Sequence, residues 1–207
     1  MPSGSAGLHV WALFSTLCLL GALATLFPHL CGRLDRRPET LGPSRTSTLL
    51  GVRVVHGHHP RCGEFHGHEF AVNGKTLCAG CSGLLVGAST AVVVATHHFV
   101  LGIHYPAVTA FIGLGCVAVG LLHLRLLRAG GPVLRFALNA ALVMGFALVL
   151  VGVDSARGPG FDLVVIGLCV FWMFTRIQLS SWDHERICYS CGYRCEKGAT
   201  ALRGRSR

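Results

Sequence analysis

Charge is scarce in this chain. Only 13% of its 207 residues are Asp, Glu, Lys or Arg, about half the share carried by a soluble domain. Acidic side chains are the scarcest, nine against eighteen basic ones, while 52% of residues are hydrophobic and the mean hydropathy is +0.57. These values exclude a soluble globule. Several catalytic signatures are missing as well. His68-Glu69 has Val72 where a metalloprotease helix needs its second histidine. There is no glycine-rich phosphate loop, no Gly-x-Ser-x-Gly elbow and no tight carboxylate pair inside a hydrophobic run. No residue stands out as catalytic. Lys and Arg are absent ahead of the first apolar stretch, Leu8–Leu30, which ends Phe27-Pro28-His29-Leu30-Cys31 without a small-x-small cleavage site. A cleaved signal peptide needs both features. Residues 1–30 therefore read as a retained span with Trp11 as an interfacial anchor.

What is present is a set of apolar runs of about 20 residues, the length that crosses a bilayer core. After the first, they fall near Ala79–Leu101, Pro106–Leu127, Val133–Val153 and Phe161–Leu179. Ala79, Gly83, Gly87, Ala91 and Ala95 form a small-residue stripe along the second, which admits close approach of another helix. The expected class is an all-α membrane protein: five transmembrane helices with a small cytosolic zinc-knuckle/β-hairpin module. Its divisions are 1–30, the N-terminal span with its N-terminus outside; 31–78, a basic linker and His/Cys module; 79–180, a four-helix transmembrane bundle; and 181–207, a basic cysteine-rich tail. With that orientation, 31–78, the link at 125–135 and the tail hold 7, 3 and 6 basic residues, and Arg176 makes 17 of 18 on the inner side. That is a positive-inside pattern. The net charge of +9 is read as topology and contact with anionic lipid, not as nucleic-acid binding. Expected partners are the lipid bilayer and a cytosolic protein or a second copy of the chain.

Histidine and cysteine supply the chemistry. Val55–Gly83 gathers five of twelve histidines and three of ten cysteines. His59-x2-Cys62 and Cys78-x2-Cys81 are two short-spaced donor pairs, the spacing of a tetrahedral zinc site. His56, His58, His66 and His68 are spare donors. Asn73-Gly74 between two short apolar–polar alternations predicts a hairpin with a type I′ turn, delivering Cys78 and Cys81 at its far end. A second set, His184, Cys188, Cys191 and Cys195, lies in the tail. Each set closes its own zinc site, or Cys78/Cys81 and Cys188/Cys191 share one ion; an iron–sulfur cluster on the tail cysteines is a lesser alternative. His9, His97, His98, His104, Asp154 and Asp162 lie at the opposite span ends, where an ion-access site is conceivable but interfacial polarity is the simpler reading. His123 and Asn139 are expected to face the bundle interior and bond neighbouring helices. Cys18, Cys116 and Cys169 are expected to pack as small apolar residues.

His59-Pro60, Phe65 and Cys78-Ala79-Gly80-Cys81-Ser82-Gly83-Leu84 together resemble an uncharacterised family of small prokaryotic multi-pass membrane proteins. That family carries a His-Pro element and a Cys-Ala-x-Cys-[Ser/Thr]-Gly motif leading into a glycine-rich span. The resemblance covers about residues 55–90. Many members have Arg where this chain has Gly80. The resemblance implies a membrane fold and supports the motif boundaries; it implies no activity.

The expected function is a polytopic membrane protein whose zinc module is structural or docks a partner, because four donors close a tetrahedral site. A thiol–disulfide oxidoreductase using Cys78/Cys81 is one alternative. A metal-ion transporter or sensor is the other, though the spans offer only His123 and Asn139 as polar stations.

Overall fold

Each apolar run forms a helix. The computed structural model describes residues 4–26, 45–49, 52–56, 68–72, 75–126, 131–157 and 160–190. Among them the helices are α1 (Gly4–Leu26), α2 (Ala79–Phe99), α3 (Thr109–Leu126), α4 (Pro132–Arg157) and α5 (Asp162–Ser190). The strands are β1 (Arg45–Leu49), β2 (Val52–His56), β3 (Glu69–Val72) and β4 (Lys75–Cys78). Local chemistry sets the helix ends. Pro132 occupies the first position of α4, where its missing N–H costs nothing, and Asp162 meets the positive pole of α5. The chain leaves α2 through Gly102, whose φ of 70° only glycine adopts freely, and Ile103 N–H donates to His97 O at 2.9 Å.

Four helices are long and apolar enough to cross a membrane: α1, α2, α4 and α5 up to Ser180. The apolar part of α3, Thr109–His123, is shorter, about 22 Å at 1.5 Å per residue against a core of about 30 Å. Five equivalent spans were expected; the bundle has four plus this shorter apolar helix. Phe111, Leu163 and Phe171 point outward at 74%, 62% and 61% exposure, which suits a lipid surround.

The core sits on α4, with Leu142, Ala147, Leu150 and Val151 fully buried. Helix α2 packs on one side of it and α3 on another. The small-residue stripe of α2 makes this possible. A Cβ on Gly87 would lie 2.7 Å from Ala140 O, and one on Gly83 would run into the Phe136 carbonyl. The α3–α4 contact uses the same device: a Cβ on Gly113 would lie 2.7 Å from Gly145 O. Helix α1 lies on α2, and the Trp11 indole N–H donates to Thr96 Oγ1 at 3.0 Å. Trp11 therefore joins two helices instead of simply marking the interface. Helix α5 lies against α3 and α4, with Trp172 stacked on Phe146 at 5.9 Å. Cys18 and Cys169 are buried in the core as expected; Cys116 is only half-buried.

Two antiparallel hairpins sit between α1 and α2. In one, Glu69 pairs with Cys78 and Val72 with Lys75, the register expected around Asn73-Gly74, a turn that lies outside the described residues. In the other, Arg45 pairs with His56 and Leu49 with Val52. That second hairpin occupies part of a stretch read as linker.

Candidate functional site

The cysteine pair stands at a strand-to-helix junction. Strand β4 ends at Cys78 and α2 begins at the next residue. Cys78 is the N-cap of α2, with extended backbone and no side-chain capping hydrogen bond. Cys81 lies in the first turn, and both thiols are partly exposed. The helix pole therefore directs positive potential at this junction.

A second cation reaches it from α5. The Arg176 guanidinium donates from Nε and Nη2 to Asn139 Oδ1, at 3.1 and 2.9 Å. Asn139 is buried and donates from Nδ2 to Arg135 O at 2.7 Å, so its orientation is fixed by its own helix. The guanidinium interacts electrostatically with Cys81 and Cys78. Gly80 explains the proximity: a Cβ there would meet Arg176 Nη2 at 3.4 Å, Asn139 Nδ2 at 3.8 Å and Cys78 Sγ at 4.0 Å. One glycine, one amide and one guanidinium thus surround the pair. A helix N-terminus and a neighbouring Arg make the setting in which cysteine reacts, and binds metal, as its thiolate.

Asn139 bonds a neighbouring helix, as expected of a polar group inside the bundle. His123 is also buried, and its Nδ1 lies 2.6 Å from Gly120 O of its own helix. Arg176 is the residue that the sequence did not single out. It counted only as one more inner-side charge, although an arginine inside an apolar run carries a signal of its own.

The other expected ligands are distributed as follows. His68 is buried just ahead of β3. His56 ends β2, and His184 and Cys188 fall in the last turns of α5. His58, His59, Cys62, His66, Cys191 and Cys195 lie outside the described residues. Among the described residues no group of three or more His, Cys, Asp or Glu is arranged to hold a metal. Cys78 and Cys81 supply two soft donors, half the number that a tetrahedral zinc takes.

At the opposite end of the bundle the structure assembles a different group. His98 of α2 is buried, and its Nε2 lies 2.8 Å from Asp154 Oδ2 of α4. Asp162, at the start of α5, is fully buried beside Asp154. His97 and His104 lie nearby in sequence, and the His104 ring is 5.9 Å from that of His98. His9 instead bonds Ser5 O within α1, at 2.6 Å. Polar residues read as interfacial are in part a connected buried cluster.

No protein-family profile, curated protein or solved structure matches this chain.

Proposed function

We propose that this is a multi-pass membrane protein whose Cys78/Cys81 pair anchors a zinc ion at the cytosolic end of the bundle, in a module that is structural or docks a protein partner. The observation that carries the reading is the junction itself. Two thiols three residues apart are fixed by β4 and α2, beside a guanidinium that offsets the negative charge of a zinc–thiolate centre. His59 and Cys62 complete the site, and the tail set His184, Cys188, Cys191 and Cys195 binds a second ion or shares the first. Zinc then stabilises the hairpin segment, whose sequence carries few apolar residues. The cytosolic orientation rests on the basic residues, 17 of 18 of which fall at this end when all five helices, α3 included, cross the bilayer. Many members of the resembling family have an Arg at the position of Gly80; here Arg176 brings a cation beside Gly80 from α5.

Metal analysis of the purified full-length protein tests this. Stoichiometric zinc, lost in Cys78→Ser/Cys81→Ser, is the expected result. Metal-free protein of native fold sinks it.

Thiol–disulfide exchange is the second reading, favoured by Arg176 because a cation beside a Cys-x-x-Cys pair stabilises the attacking thiolate. It predicts a metal-free protein whose Cys78 and Cys81 cycle between dithiol and disulfide in a glutathione redox titration.

A further inference from the structure

We infer that His98, Asp154 and Asp162 form a proton-binding site at the end of the bundle opposite the cysteine pair. The argument begins with hydrogen-bond bookkeeping. His98 Nδ1 lies 3.2 Å from Ile103 O, and Nε2 lies 2.8 Å from Asp154 Oδ2. A carbonyl oxygen only accepts, so Nδ1 carries hydrogen. A neutral imidazole then has a bare Nε2, which faces a carboxyl oxygen and needs a donor there. Two states satisfy both contacts: a doubly protonated ring against a carboxylate, or a neutral ring against a protonated Asp154. Each holds one proton more than a neutral imidazole beside a carboxylate. With both contacts made as hydrogen bonds, the His98–Asp154 pair holds one bound proton.

Asp162 extends the site. It is fully buried, and its carboxyl group lies against that of Asp154. Two buried carboxylates side by side repel each other, and proton uptake by one of them relieves that repulsion. Three helices contribute one group each: α2, α4 and α5. A proton leaving His98 Nε2 breaks an N–H bond and forms an O–H bond on Asp154; passing from Asp154 to Asp162 exchanges one O–H for another. No electrons move and total charge is conserved.

An exposed imidazole borders the site. His104 is exposed and its ring lies 5.9 Å from that of His98; Tyr105 packs on the other side at 6.0 Å. The remaining ionisable side chains of this end among the described residues are the exposed His9 of α1, the half-buried His97 and the exposed Arg157. His104 thus sets an exposed imidazole against the ring of the buried His98. The ligand is a proton and not a metal, since the described residues hold no three-donor group of metal geometry and His98 Nε2 is already engaged by Asp154.

The test uses the full chain in lipid nanodiscs with 15N-labelled histidine. Ring-nitrogen NMR and infrared spectra of the carboxyl region are recorded at neutral pH for wild type, His98→Gln, Asp154→Asn and Asp162→Asn. The expected wild-type result is either a doubly protonated His98 or a protonated carboxyl band. That signal is lost in Asp154→Asn, and its proton occupancy changes in Asp162→Asn. A singly protonated His98 with every carboxyl ionised in wild type overturns the proposal. So does an Asp162→Asn spectrum identical to wild type outside the Asp162 band itself. The wild-type measurement stands alone if a variant does not fold.

Discussion

Replacing Asn139 with Leu isolates the electrostatics of the cysteine junction. Leu has the same number of side-chain heavy atoms and the same branching, so the main loss is polar. Arg176 Nε and Nη2 lose their shared acceptor at 3.1 and 2.9 Å, and Arg135 O loses its donor at 2.7 Å. A hydrogen bond to a charged group contributes about 1.5–3 kcal/mol, and stranding one member of a fully buried pair costs about 3–5 kcal/mol. Asn139 is 2% exposed and Arg176 is partly buried, and the guanidinium keeps its electrostatic interaction with Cys81 and Cys78, so the lower range applies. The expected loss is about 1.5–3 kcal/mol. Equilibrium unfolding of the detergent-solubilised full chain in increasing dodecyl sulfate reads it directly. Arg176→Met and the double variant complete a cycle. The double variant should be more stable than the sum of the single losses predicts, because no charge is left stranded. Additive losses, or an Asn139→Leu protein as stable as wild type, refute the coupling.

Three further outcomes follow from the packing. Gly87→Val puts a side chain into the Ala140 backbone, 2.7 Å from its carbonyl oxygen, and should cost at least about 1–3 kcal/mol in the same assay. Gly167→Ala on the open face of α5 meets nothing within 4 Å; it should be neutral or stabilise by up to about 1 kcal/mol, and a large loss there contradicts a lipid-facing position. Trp11→Phe removes the 3.0 Å bond to Thr96, an expected loss of about 0.5–1.5 kcal/mol that Thr96→Val should reproduce without adding to it.

The helices were legible because apolar runs of bilayer length leave few other folds for their backbone polar groups. The stripe from Ala79 to Ala95 was legible as a contact face for the same local reason: its period is helical and its side chains are small. The β3–β4 hairpin announced itself through Asn73-Gly74. The β1–β2 hairpin did not, although Thr46, Thr48, Val52 and Val54 alternate around Leu50-Gly51, because the Pro, Arg and Ser preceding it dominate the composition. Helix α5 passes Leu179, where hydropathy stops but helix propensity does not. The Arg176–Asn139–Gly80 group was out of reach. Its members lie on three helices, and only the rotation of each helix decides whether they meet. His98, Asp154 and Asp162 could be placed at one end of the spans from the sequence, but their mutual contact was not legible, since a search for carboxylate pairs within one run misses a pair formed by the facing ends of two.

The unbroken length of α5 works as a ruler. Arg176 fixes its zero mark beside Cys78 and Cys81, and the helix continues to Ser190. At 1.5 Å per residue, the backbone of Cys188 stands about 18 Å further along the axis, whereas two sulfurs on one zinc lie within about 4 Å of each other, given Zn–S bonds near 2.3 Å. A single ion that takes Cys188 together with Cys78 must first unwind the last turns of α5 or bend it back over the bundle. Two ions spaced along the helix leave α5 intact. On the proposed zinc reading, the number of ions bound therefore also reports whether the end of α5 survives metal binding as a helix.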